Sequence, residues 1–248
     1  MFTKQQVEQL STEISAKIIS IRSVSGGDIA NSYLLTTDSG EAFLKTHENY
    51  NLLEAEKTGL AAIAKTNTIK TPEILGFGSI DNLTFLALEW VDTKPASKEN
   101  FELFGKQLAA LHQQTQKEFG FSSNNFIGHL QQSNKPHDNW NDFYIEERLL
   151  PQLRLAKSKG LLHEQEIPSI EMMKENCFKY FNTITPSLLH GDLWNGNYFI
   201  SQNNGPYIFD PSTYFGHSEI DIAMSKLFGG FDSAFYTSYY SSIPKDEF

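Results

Sequence analysis

Apolar residues recur at helical spacing near the start of the chain, at Val7, Leu10, Ile14 and Ile18, and predict an amphipathic helix over residues 3–20. The period then shortens. Residues 19–24 and 30–45 read as strands around the turn Ser25-Gly26-Gly27-Asp28, and a second turn, Thr37-Asp38-Ser39-Gly40, leads into Glu41-Ala42-Phe43-Leu44-Lys45. Residues 50–65 read as a helix, followed by short strands near 74–79 and 84–91 split by Asp81-Asn82. From residue 92 the pattern is helical over 97–116, 140–159, 163–181 and 218–240. One hairpin interrupts it, with Tyr198-Phe199-Ile200 and Tyr207-Ile208-Phe209-Asp210 as its arms. The expected class is α+β: a strand-rich N-lobe over 1–91 and a mainly helical C-lobe over 92–248, joined at 92–99.

Composition narrows the partners. At 248 residues, 40% of them hydrophobic, the chain is long enough to bury a real core. It holds no run of about 18 apolar residues, so no membrane partner is expected. Its start, Met1-Phe2-Thr3-Lys4-Gln5-Gln6, lacks the apolar stretch of a secretory signal. Cys177 is the single cysteine, and the expected location is cytoplasmic. The net charge of −10 repels a nucleic-acid backbone, so no nucleic-acid partner is expected. A polyanionic ligand needs local cation here, and a cationic second substrate suits the acidic surface, although charge that only keeps the protein soluble reads alike.

The sharpest chemical signal is His190-Gly191-Asp192-Leu193-Trp194-Asn195-Gly196-Asn197, which contains the H-x-D-x-x-x-x-N spacing of a kinase catalytic loop. A carboxylate there can receive the proton of an attacking hydroxyl, and an amide oxygen five residues on can reach a phosphate-bound metal. Asp210, at the end of an apolar strand, is placed to hold Mg²⁺ with Asn197. Lys45 closes an alternating strand, and Glu56 falls in the middle of the apolar face made by Leu52, Leu53, Leu60 and Ile63, while Glu54 lies on the opposite side. A buried carboxylate needs a cationic partner, which Lys45 can be, either as a phosphate-positioning pair or as a purely structural ion pair. Gly26 and Gly27 let the backbone approach a phosphate, although an ordinary hairpin turn has the same composition. Glu89 and Val91 stand where a linker would present backbone groups to an adenine edge, although an ordinary buried strand reads alike. His112 reads as a packed histidine, and the aromatics between Phe228 and Tyr240 as helix packing.

The order glycine turn, Lys45, Glu56, linker, Asp192, Asn197, Asp210 resembles the aminoglycoside and choline phosphotransferase branch of the bilobal protein-kinase-like fold. The finer match is to the fructosamine (ketosamine) 3-kinases. Leu188-Leu189-His190-Gly191-Asp192-Leu193-Trp194-Asn195-Gly196-Asn197 is similar to their LLHGDLWxGN, and Ile208-Phe209-Asp210-Pro211-Ser212-Thr213-Tyr214-Phe215-Gly216-His217 to their IFDPAxxYGH. Residues 117–121, Trp140-Asn141-Asp142-Phe143-Tyr144, Arg148-Leu149-Leu150-Pro151-Gln152-Leu153 and 224–235 extend the likeness over nearly the whole chain.

The resemblance implies ATP and Mg²⁺ as cofactors and a ketoamine sugar, free or protein-bound, phosphorylated at O3 so that the adduct falls apart and frees its amine. It implies Asp192 as base, Asn197 and Asp210 as metal ligands, Lys45 with Glu56 as the phosphate-positioning pair, Trp194 in the sugar pocket and Asp221 bracing the loop. The alternatives are a kinase of another small amine or sugar, or a non-catalytic kinase-like binding protein. Two departures stand out. Asp28 occupies a place where some relatives carry a cysteine, and the chain stops where family members continue through further helices, which implies either a truncated chain or a shortened member of the family.

Overall fold

A computed structural model describes residues 2–24, 29–181, 183–203 and 205–244. The turn holding Gly26 and Gly27 therefore lies outside the described residues. Helix α1 (Lys4–Glu13) is followed by strands β1 (Ile18–Ser23), β2 (Asn31–Thr37) and β3 (Gly40–His47), helix α2 (Tyr50–Lys65), and strands β4 (Ile74–Ile80), β5 (Leu83–Glu89) and β6 (Thr93–Lys94). Then come α3 (Lys98–His112), a hairpin of β7 (Asn125–Ile127) and β8 (Leu130–Gln132), α4 (Trp140–Tyr144), α5 (Leu150–Ser158) and α6 (Ile170–Tyr180). The last elements are β9 (Ser187–Leu189), β10 (Tyr198–Ser201), β11 (Gly205–Ile208), β12 (Tyr214–Gly216), α7 (Glu219–Leu227) and α8 (Ser233–Tyr240).

Five strands form an antiparallel sheet in the order β1-β2-β3-β5-β4. Alternation along β3 sends successive side chains to opposite faces. Ala42 and Leu44 pack with Leu10 and Ile14 under α1, whereas Phe43 faces Leu53 and Leu60 of α2. Lys45 follows Leu44 and so lies on the α2 side. The Asn49 side chain caps α2 by accepting the Asn51 N–H at 3.1 Å. A second core joins α3 (Phe104, Leu108, Leu111) to α8 (Phe235, Tyr239) around Leu188, Leu193 and Ile208. Among the described residues no helix is long and apolar enough to cross a membrane.

Several expected elements differ from those observed. The first helix stops at Glu13, because Ser15 is in the left-handed region (φ 54°) and Ile18 joins β1. Its helically spaced apolar residues, Leu10, Ile14 and Ile18, still bury in one cluster, so the spacing marked a shared core and not a continuous helix. The helix expected over 218–240 breaks into α7 and α8, with Gly229 and Gly230 at φ 100° and 76°. The segment 140–159 contains a π-helical turn at Ile145–Leu149 between α4 and α5, and 163–181 becomes regular helix only from Ile170. The region after residue 92 holds a second hairpin, β7 with β8, and two long-range antiparallel pairs, β9 with β12 and β6 with β10. Residues 93–94, expected in a free linker, are thereby held as an edge strand.

Candidate active site

Lys45 is the pivot of the site. Only 5% exposed, its Nζ donates to Glu56 Oε1 at 2.8 Å and to Asp210 Oδ1. A buried ammonium is tolerated only with such partners. The helix that carries Glu56 is seated by Gly59, where a Cβ would meet Thr213 Oγ1 at 2.9 Å and Pro211 Cγ at 3.0 Å. That close approach fixes α2 against the chain just past Asp210. Asp210 itself follows the end of β11 by two residues and sits in the left-handed region at φ 55°. Such a conformation is uncommon for a residue with a Cβ, and is tolerated best by Asp and Asn.

The loop between β9 and β10 carries the other candidates. Asn197 Nδ2 donates to Asp192 Oδ2 at 3.0 Å and to the Asp192 carbonyl at 2.8 Å. The amide nitrogen is thus spent on Asp192, and the amide oxygen is the atom left to meet a cation. Burial pushes the Asp192 carboxyl above the usual aspartate range, against the opposing pull of His190 and the Asn197 hydrogen bond. Gly191 has φ 85°, and a Cβ there would lie 2.1 Å from the Ser212 carbonyl oxygen, so the loop can pass the 210–213 segment only at a glycine. His190 spans the same gap: its Nε2 donates to the Phe209 carbonyl at 2.9 Å, and its Nδ1 accepts the Asp192 N–H at 3.2 Å.

Below the loop, Asp221 is fully buried and accepts the N–H groups of His190 (2.7 Å) and Gly191 (2.8 Å). His112 donates to the same carboxylate from Nε2 at 3.1 Å, and its Nδ1 meets the Tyr239 hydroxyl at 2.8 Å. Burial alone would raise the Asp221 pKa, but His112, His190 and the Gly191 N–H outweigh it and hold the carboxyl below its usual range. His112 is thus packed, as its place on an apolar helix face suggests, and also joins the last helix to the loop. The His112–Tyr239 contact is 127 residues apart in sequence, and no local pattern signals it.

These residues share one cavity of about 490 Å³, lined by Lys45, Glu56, Asp192, Trp194, Asn197 and Asp210 among others. That volume suits a small ligand. Trp194 stands at its edge against Phe228, with ring centroids 5.5 Å apart. The β7–β8 hairpin forms the far wall through Phe126, Gly128 and His129, residues that carry no pattern a sequence reading could seize. Glu89 and Val91 do not line this cavity, and the Glu89 N–H is taken by the Glu73 carbonyl at 2.8 Å.

The His190 geometry carries a pH expectation. Burial, the largest influence, lowers its pKa although the Asp221 carboxylate pulls the other way. The folded chain therefore refuses a proton that the unfolded chain takes up below about pH 6.5. Stability should be full above that value and fall as the pH drops, by at most about 1.4 kcal/mol per unit from this group. Asp221, with its depressed pKa, adds a further loss only below about pH 4. Urea melts at pH 7.5 and 5.5 on wild type and His190→Gln check this. The variant keeps a donor for Phe209 but cannot titrate, and an equal slope in both proteins would show that His190 is not the group responsible.

The fold is of the protein-kinase-like class. A spectinomycin phosphotransferase crystallised with ADP and spectinomycin superposes over 100% of this chain and 81% of its own with a TM-score of 0.58, at 15% identity, a likeness of fold alone. The family model for fructosamine kinase matches residues 1–248, and the chain belongs to the fructosamine kinase family. A "Probable ketoamine kinase" of Vibrio parahaemolyticus is 41% identical over 225 residues, which cover 89% of this chain and 77% of that protein. The crystal structure of a "Putative fructosamine-3-kinase" from Haemophilus somnus superposes with a TM-score of 0.86 at 28% identity, over 97% of this chain and 82% of that one.

Proposed function

We propose that this cleft transfers the γ-phosphoryl group of ATP to the O3 hydroxyl of a ketoamine sugar. The observation that carries the reading is the convergence of Asp192, Asn197 and Asp210 with the Lys45–Glu56 pair on one cavity. In this reading Asp192 takes the proton of the attacking hydroxyl, the hydroxyl oxygen bonds to phosphorus, and ADP leaves. Lys45, held by Glu56, orients the phosphates. The nucleotide lies between the parts 1–91 and 92–248, with its phosphates toward Lys45. Trp194 borders the sugar. Product breakdown frees the amine, so the outcome is deglycation.

Asn197 and Asp210 fit Mg²⁺: they offer an amide oxygen and a carboxylate, hard donors on one wall of the cavity. The ion, when bound, would neutralise phosphate charge. Everything else in the step is positioning by this chain's own side chains.

The test is an ADP-release assay with a fructosylated small alkylamine, an aminoglycoside and choline in parallel. ATP-dependent turnover of the fructosyl amine is expected. Turnover of only the aminoglycoside or choline would move the substrate class, and nucleotide binding without turnover of any acceptor would make the chain a binding protein.

A further inference from the structure

Beside the reaction cavity lies a second cavity of about 450 Å³, between the outer face of α2 and the loop leading into the β7–β8 hairpin. The two share Ala55 and Phe126 as lining residues, so they adjoin at that wall. Resting on the ketoamine-kinase reading above, we propose that this second cavity is the subsite for the amino-acid or peptide part of the substrate.

Chemistry decides among the occupants. Its walls present Glu54, Thr58, Ser123, Asn124 and Gln131, a set of hydroxyls and amides with one carboxylate, and no lysine or arginine is among its described lining residues. A phosphate chain would find no cation there and would meet Glu54. A peptide offers backbone N–H groups to Glu54 and to the hydroxyl and amide oxygens, and C=O groups to the amide N–H donors. A bare alkylamine adduct would leave these groups without contacts, whereas a fructosylated lysine in a peptide would reach them.

The subsite is also shaped in advance. The buried Asn134 donates from Nδ2 to the Ser123 carbonyl at 2.9 Å, and its backbone N–H meets Asn124 Oδ1 at 3.0 Å. Arg148 Nη2 in turn donates to Asn134 Oδ1 at 2.6 Å. The hairpin is tied to the segment after Asp210, because Asn125 Nδ2 donates to the Thr213 carbonyl at 2.9 Å. On the opposite wall the Thr58 hydroxyl donates to the Glu54 carbonyl at 2.7 Å. One wall thus follows the reacting end of the site, and little ordering remains to be done when a peptide binds.

The experiment compares kcat/KM for a fructosylated small alkylamine and for an acetyl-blocked peptide with one fructosylated lysine. Wild type, Glu54→Gln and Ser123→Trp are measured; both positions are solvent-accessible, and far-UV circular dichroism verifies folding. The expected result is a wild-type preference for the peptide and a fall of about tenfold in the peptide-to-alkylamine ratio in each variant, through KM more than kcat. An unchanged ratio in both variants, with wild type active on the alkylamine, overturns the subsite and leaves the kinase reading standing. Wild type that phosphorylates neither adduct overturns both.

Discussion

Replacing Asp192 with Asn is expected to lower turnover by about 10²–10⁴-fold while the nucleotide still binds. The amide matches the carboxylate in size and can still accept the Asn197 Nδ2 hydrogen that Asp192 Oδ2 takes at 3.0 Å. It cannot accept the proton of an attacking hydroxyl. Lys45, Glu56 and Asp210 make none of their contacts through Asp192, so the phosphate side of the cavity stays intact. The folded chain should be no less stable. Burial raises the Asp192 pKa, which means the protein disfavours the charge that the substitution removes. Single-turnover kinetics, a nucleotide titration and a thermal melt separate these three statements. A variant with more than half of wild-type turnover would remove Asp192 from the role of base.

Asp221→Ala should produce the largest stability change of any substitution outside the apolar cores. The carboxylate is fully buried and accepts three donors: the N–H groups of His190 and Gly191, and His112 Nε2. Its removal strands all three in a site that the smaller side chain leaves partly empty. Breaking a buried charged network of this kind costs about 3–5 kcal/mol. Activity should fall as well, because the two stranded N–H groups belong to the loop that aims Asp192. A chemical denaturation series with an activity assay at low denaturant measures both. A loss below about 1 kcal/mol would mean that water replaces the carboxylate, and that the loop holds its shape without it.

Much of the site is legible in the chain because its residues are locally spaced. His190, Asp192 and Asn197 lie in one loop, and the apolar face of 50–65 isolates Glu56 from Glu54 by helical period alone. The alternation ending in Lys45 names the sheet face on which that side chain lies, since the period of a strand is two. These are statements about neighbours in sequence, and backbone geometry settles them before any long-range contact forms.

Tertiary structure decided what depends on distant partners. The loop's support runs from Tyr239 through His112 to Asp221, across 127 and 109 residues, and no local pattern encodes such a meeting. The short strands at 125–132, 187–189 and 214–216 are too brief for a period of two to emerge, and they exist because each pairs with another. Ile14 and Ile18 keep helical spacing, yet the chain leaves the helix after Glu13, and Ile18 instead pairs with Thr37 of β2. The sequence by itself picked out the side chains that line the candidate site, because type and spacing are local. Only the folded chain decided what holds them in place and how far the cavity extends past Phe126, because those answers lie in contacts whose loop-closure cost the whole core must offset.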